Sequence, residues 1–151
     1  MAALVVVDSG VALATVFEEH LSQKASALFV SWAQENTQLH APMLFRYEVV
    51  AVVRRALYQG RIAHQDAITA RDQLLTLPVQ YHVDQPLLER AFEIATEHNR
   101  PTAYDSQYLA LAERLQCDFW TADEKLFNAI GAKRPAVKWL AQFELDQTKG
   151  E

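Results

Sequence analysis

Leu4-Val5-Val6-Val7 is an unbroken apolar run, and three of its four residues are β-branched. Such side chains are stiff at χ1 and favour extended backbone. A run without alternation has no polar face to offer water, so it predicts a strand buried on both sides. Strands of that kind belong to parallel sheets covered by helices. The rest of the chain supplies the helices. Gly10 to Phe17 predicts one, and Ser22 to Asn36 a longer one, with Ser22 as N-cap and Ala25, Leu28, Phe29 and Trp32 at helical spacing. Gln38 to Ala41 reads as a short extended piece. Pro42 is predicted to open a helix reaching Gln59, with Gly60 as its stop. Asp66 to Leu77, Pro86 to Asn99, Ala103 to Gln116 and Asp123 to Ile130 follow as helices. Val79 to Val83, Asp118 to Thr121 and Val137 to Leu140 are the remaining predicted strands. Strands alternating with helices imply βαβ crossovers, hence an α/β fold: a three-layer α/β/α sandwich with a mostly parallel central sheet. Sites in such sheets lie beyond the carboxyl ends of strands. Chemistry is therefore sought after Val7, Ala41, Val83 and Thr121.

The 151 residues fit one domain, expected over 1–145, with a polar tail at 146–151. Fourteen Lys and Arg against 19 Asp and Glu give a net charge of −5. That balance argues against holding nucleic acid through broad positive charge, though not against a nucleic-acid enzyme whose site holds cations. Cys117 is the single cysteine and reads as a small core residue, with no internal disulfide available to it. The start of the chain lacks the basic segment of a signal peptide, and no apolar stretch approaches the ~20 residues of a membrane span. The expectation is a soluble, cytoplasmic protein with no membrane contact. The five histidines show no zinc-like spacing, and no P-loop or dinucleotide glycine motif occurs. Trp32, Trp120 and Trp139 read as core.

Four acids stand in positions that call for explanation. Asp8 directly follows the first strand, where it suits either an N-cap or a site. Glu48 has Leu44, Phe45, Ala51 and Val52 as its helical neighbours, which places a carboxylate on an apolar face. A buried carboxylate needs a partner, a metal or a neutral form; an ion pair with Arg46, Arg54 or Arg55 is the simplest alternative. Asp105 lies in the first turn of its helix, and Thr102 to Asp105 fits a capping box. Asp123 follows a strand and opens a helix, where either it or Thr121 suits a cap. Four carboxylates brought together without cations would repel and raise one another's pKa. One or two hard divalent cations, Mg²⁺ or Mn²⁺, would resolve that repulsion.

These residues carry a resemblance. Val5-Val6-Val7-Asp8, Ala41-Pro42 with Tyr47-Glu48-Val49, Ala103-Tyr104-Asp105-Ser106-Gln107-Tyr108-Leu109, and Phe119-Trp120-Thr121-Ala122-Asp123-Glu124-Lys125-Leu126 occur in the order found in PIN-domain proteins. The chain resembles most a VapC-type toxin ribonuclease of a type II toxin–antitoxin system. The resemblance implies a metal-dependent endoribonuclease that leaves 5′-phosphate and 3′-hydroxyl ends. In it Asp8, Glu48, Asp105 and Asp123 would form the acidic metal site, with Asp123 acting directly or through water. Thr121 matches a frequent hydroxyl of the family. Another hydroxyl, two positions after the first Asp, is replaced here by Gly10. Ser9 is counted with Thr121 as a supporting residue, although its side chain is expected to point elsewhere.

Phosphate contacts would fall to Arg46, Arg54, Arg55 and Lys125, beside the simpler reading of solvated surface charge. RNA is the implied substrate. An antitoxin is the implied partner, packing on the apolar helices between Ser22 and Gln59, and a homodimer is implied as well. Two alternatives stand beside this reading: a PIN nuclease of RNA maturation or decay outside a toxin system, and a catalytically weak binding module of the same fold.

Overall fold

The first strand, β1 (Leu4–Val7), forms where the β-branched run predicts it and occupies the middle of a five-stranded sheet. A computed structural model describes residues 3–145. After β1 come α1 (Ser9–Val16), α2 (Ser22–Gln34), β2 (Gln38–Pro42), α3 (Leu44–Tyr58), α4 (His64–Leu75) and β3 (Val79–His82). Then follow α5 (Gln85–Glu97), α6 (Tyr104–Leu115), β4 (Asp118–Thr121), α7 (Glu124–Ile130) and β5 (Val137–Trp139). The expected tail at 146–151 lies outside the described residues.

All strand pairs are parallel, in the order β3-β2-β1-β4-β5. Val6 is opposite His40 on one side and Phe119 on the other, and is fully buried with Val7. That burial on both faces is what an all-apolar strand requires. The α6 helix lies on β1, β2 and β4 and carries α5, while α1 packs with α2, α3 and α4. Phe45, Tyr108, Leu111, Phe119 and Leu126 are fully buried between these layers. A side chain of that size gains roughly 2 kcal/mol on leaving water. The chain first builds outward from β1 to β2 and β3, then returns to β1's other side with β4. β1 is thus where the strand order reverses, and in sheets of this kind sites lie beyond the carboxyl ends of the strands at that point.

Several local expectations are corrected. Pro42 ends β2 instead of opening α3, which starts at Leu44. Met43 instead continues the sheet-end pairing, its N–H donating to His82 O at 2.9 Å. Ser22 is not the cap of α2; its Oγ accepts from Glu19 N at 2.9 Å and donates to Phe17 O at 2.8 Å, bracing the turn before the helix. Thr102 forms no capping box either: Ala103 occupies the cap position of α6 without a side-chain bond. Trp32 is buried, but Trp120 and Trp139 are only partly so, packing on Phe143 and Phe127. Cys117 is also partly buried, and burial pushes its thiol up to about 11.

Candidate active site

Asp8 leaves β1 in extended backbone (ψ 147°), with its N–H donating to Trp120 O at 3.0 Å, so the sheet itself fixes its position. Both readings of Asp8 hold locally. Its Oδ1 accepts from Gly10 N at 3.4 Å, capping α1, and its Oδ2 accepts from Thr121 Oγ1 at 2.7 Å across the β1–β4 junction. Thr121, fully buried, also accepts from Asp123 N at 3.0 Å. One hydroxyl thus ties the first acid to the loop carrying the last. Asp123 is the cap of α7, accepting from Leu126 N at 3.1 Å through Oδ1.

Glu48 projects from α3 at the border of its buried stripe. Phe45 and Val49 are in the core, but Ala51 and Val52 are exposed, so its apolar neighbours only half enclose it. Among the described residues it forms no ion pair with Arg46, Arg54 or Arg55. Its Oε1 accepts instead from Tyr108 Oη at 2.6 Å and Ser9 Oγ at 3.3 Å. The expectation for the Ser9 side chain is overturned. It is buried between the two acids, also 3.3 Å from Asp8 Oδ1. Folding Ser9 into α1 turns it under Asp8, supplying a hydroxyl that Gly10 lacks. A Cβ added at Gly10 would stand 3.3 Å from Ala122 Cβ, so this position passes close to the β4–α7 loop.

Asp105 sits in the first turn of α6 with its carboxylate 42% exposed, 3.7 Å from Arg100 Nη2. The acids feel one another's charge. Burial first, with Glu48 and Asp105 adding repulsion against the Thr121 bond, raises Asp8 to about 6. Burial likewise raises Glu48, reinforced by Asp105 and opposed by Tyr108 and Ser9. Asp105 is raised by burial and by Asp123, against Arg100. The Tyr108 hydroxyl is pushed far up by burial and by Asp8 and Glu48, so it stays a proton donor to Glu48. Among the described residues no three acids, imidazoles or thiols stand close enough to enclose an ion directly. The donor chemistry nevertheless suits a hard divalent cation: carboxylates and hydroxyls, no sulfur or imidazole, and three acids disfavoured as bare anions.

Among the described residues none of the basic candidates forms an ion pair with the four acids. Arg46 stacks over Tyr81 and Arg54 over exposed Tyr58, at 5.2 and 5.6 Å from the ring centroids. Arg55 and Lys125 are exposed and unpaired among the described residues. Two residues at the site are absent from the sequence reading of it. Tyr108 stands three residues after Asp105, on the same helical face, a spacing that could have identified it. Arg100 precedes α6 in a loop, where no periodicity marks it.

The PIN-domain model matches residues 5–133, nearly the whole span from β1 beyond α7. The chain belongs to the PIN-domain family. Within that family it is similar to a VapC ribonuclease of Mycobacterium bovis, 30% identical over 132 residues that cover 87% of this chain and 95% of that protein. The PIN fold is also matched by VapC20 of Mycobacterium tuberculosis, described as a sarcin–ricin loop cleaving toxin. That likeness has a TM-score of 0.63 at 20% identity, covering 83% of this chain and 94% of the other. A toxin–antitoxin complex from Klebsiella pneumoniae matches with TM-score 0.63 at 19% identity, over 92% of this chain and 98% of that one. In this PIN domain Asp8 and Asp123 follow the carboxyl ends of β1 and β4, and the charges of Glu48 and Asp105 reach Asp8.

Proposed function

We propose that this PIN-domain protein is a divalent-metal-dependent endoribonuclease, the toxin of a toxin–antitoxin pair. The observation that carries the reading is the group of mutually repelling acids at the β1–β4 switch point, kept there by Thr121, Ser9 and Tyr108. Asp8, Glu48 and Asp105 would hold Mg²⁺ or Mn²⁺, one or two ions, with Asp123 assisting at the rim. A bound divalent cation supplies Lewis-acid polarisation of a phosphate oxygen and lowers the pKa of a bound water. The protein's own part is positional. Thr121 donates to Asp8 and takes up the Asp123 N–H, fixing one carboxylate and the loop of another. Tyr108 and Ser9 donate to one oxygen of Glu48, leaving the other for a ligand. No side chain acts as a covalent nucleophile in this scheme.

The antitoxin reading is supported by exposed apolar side chains on α3: Tyr47, Val50, Val52 and Tyr58, at 70, 40, 37 and 80% exposure. Solvent-facing apolar groups of this size in one helix suit a partner surface, as the likeness to a solved toxin–antitoxin complex suggests. A homodimer is a second proposed use of exposed apolar surface, of which α5 also carries Leu88 and Phe92. No helix among the described residues is long and apolar enough to cross a membrane.

The test is cleavage of RNA by purified protein with Mg²⁺ or Mn²⁺. Asp8→Asn and Asp105→Asn are each expected to lower activity at least 100-fold, and EDTA to abolish it. Wild-type rates in either variant would remove that acid from the site. A wild-type chain that takes up no Mn²⁺ in calorimetry and cuts no RNA would favour the binding-module alternative.

A further inference from the structure

Arg100 is placed with care by the backbone around it. The α5 helix ends with His98 N donating to Ile94 O at 3.1 Å and Arg100 N to Ala95 O at 2.8 Å, while Asn99 turns the chain at φ 50°. Asn is among the few residues that take this left-handed conformation at modest cost. Pro101 then restricts Arg100 to extended backbone. The side chain is held as well, at 24% exposure, beside the first turn of α6.

The other arginines in ion pairs are tightly engaged. Arg90 meets Glu93, Glu97 and Glu113 at 2.7 to 3.1 Å, Arg114 grips Asp84 with two nitrogens, and Arg134 bonds His98 and Glu97. Arg100 differs on two counts. Its partner is one of the four acids, and its 3.7 Å separation is the longest ion pair among the described residues. No hydrogen bond from its guanidinium occurs among them, the Asp105 contact being an ion pair only. An arginine has five N–H donors in a planar fork suited to phosphate oxygens. Here most of the fork is left over, fixed at the edge of an acidic site that must admit a phosphodiester. An acidic site repels its own substrate, and a cation at its rim offsets that repulsion where the strand enters.

We propose that Arg100 is a substrate-positioning residue: it rests one guanidinium nitrogen on Asp105 and offers the remaining donors to a phosphate of the RNA strand. The proposal rests on the endoribonuclease reading above. Because the arginine also sits on Asp105, it competes with a metal ion for that carboxylate, so its removal should leave metal binding equal or tighter.

Three variants, Arg100→Ala, Arg100→Gln and Arg100→Lys, are compared with wild type. Anisotropy of a fluorescein-labelled single-stranded RNA is read in Ca²⁺, Mn²⁺ uptake by calorimetry, and KM and kcat for RNA cleavage in Mn²⁺. The alanine and glutamine variants are expected to bind RNA about tenfold more weakly, a loss typical of a charge-assisted hydrogen bond. KM should rise in step, kcat should stay within threefold, and Mn²⁺ affinity should be unchanged or higher. Lysine should restore part of the RNA affinity, since it keeps the charge but not the fork. The glutamine variant, which keeps most of the stem, decides the matter if the alanine variant does not fold. RNA affinity within twofold of wild type in the neutral variants overturns the proposal, and so does loss of Mn²⁺ binding, which would make Arg100 only a prop for Asp105. Wild-type protein that binds no RNA would overturn the ribonuclease reading itself and the proposal with it.

Discussion

At neutral pH Asp8 carries its charge against its surroundings. Burial raises its pKa from 3.8 to about 6, with Glu48 and Asp105 adding repulsion; in the unfolded chain it returns to about 3.9. The folded state therefore holds the proton more tightly. Stability is fullest below the unfolded value and declines as pH rises through the interval between about 4 and 6. Two pKa units correspond to about 3 kcal/mol lost by pH 7. In metal-free buffer at pH 7.5, Asp8→Asn should therefore raise Tm by roughly 6–12 °C, since Asn still caps α1. The gain should vanish near pH 4. Thermal unfolding followed by circular dichroism checks it, and an unchanged Tm at pH 7.5 would contradict the raised pKa. Local setting made Asp8 and Glu48 legible in the sequence, one at a strand end and the other among apolar helical neighbours. It did not disclose that Tyr108 reaches Glu48 across 60 positions, nor that Ser9 turns inward. Those contacts depend on how α3, α6 and α1 meet, which no local pattern encodes.

Between neighbouring elements, the β2–β3 junction holds a pair of rings that spacing alone would never join. His40 Nδ1 and His82 Nε2 are 2.8 Å apart, and His40 Nε2 lies 3.4 Å from Gln38 Oε1. Only a neutral His40 that donates to Gln38 can accept from His82 in this geometry. Burial lowers both pKa values, helped at His40 by His82 and at His82 by Arg114, with Asp84 opposing. A lowered folded pKa means that stability is complete above about 6.5 and is lost as pH falls below it. Acidification from pH 7.5 to 5.5 should thus weaken this edge of the sheet, while the acids at the site act in the opposite sense. The difference is separable: a His40→Leu, His82→Leu variant should gain Tm relative to wild type as pH falls. A constant difference across that range would show that the pair does not titrate with folding. All five strands were legible in the sequence, β1 from its β-branched run and β3 from alternation, but helix starts were less so. Pro42 and Ser22 have helix-start chemistry yet serve a strand end and a preceding turn, because sheet pairing and the turn's own carbonyls claimed them first.

For the molecule as a whole, the acid surplus changes meaning. Of 19 acids, the four at the site leave 15 against 14 bases, close to neutral elsewhere. A divalent cation that binds only the folded chain stabilises it by about 2.7 kcal/mol at 100-fold excess over Kd. Saturating Mn²⁺ should accordingly raise Tm by several degrees in wild type and little in Asp8→Asn, and EDTA should reverse the effect. Scanning calorimetry reads this without any substrate, and equal shifts in the two proteins would detach metal binding from Asp8. The sheet order adds a consequence in time. Asp8 and Thr121 are 113 positions apart in the chain, and β1 gains its second neighbour only when β4 arrives. Asp8 is made 113 residues before the hydroxyl that fixes it. A nascent chain lacking β4 has the first acid without its brace and has neither Thr121 nor Asp123. Translation that stops between Asp8 and Thr121 yields no partly active nuclease, so the fold's winding order defers assembly of the site until β4 is made.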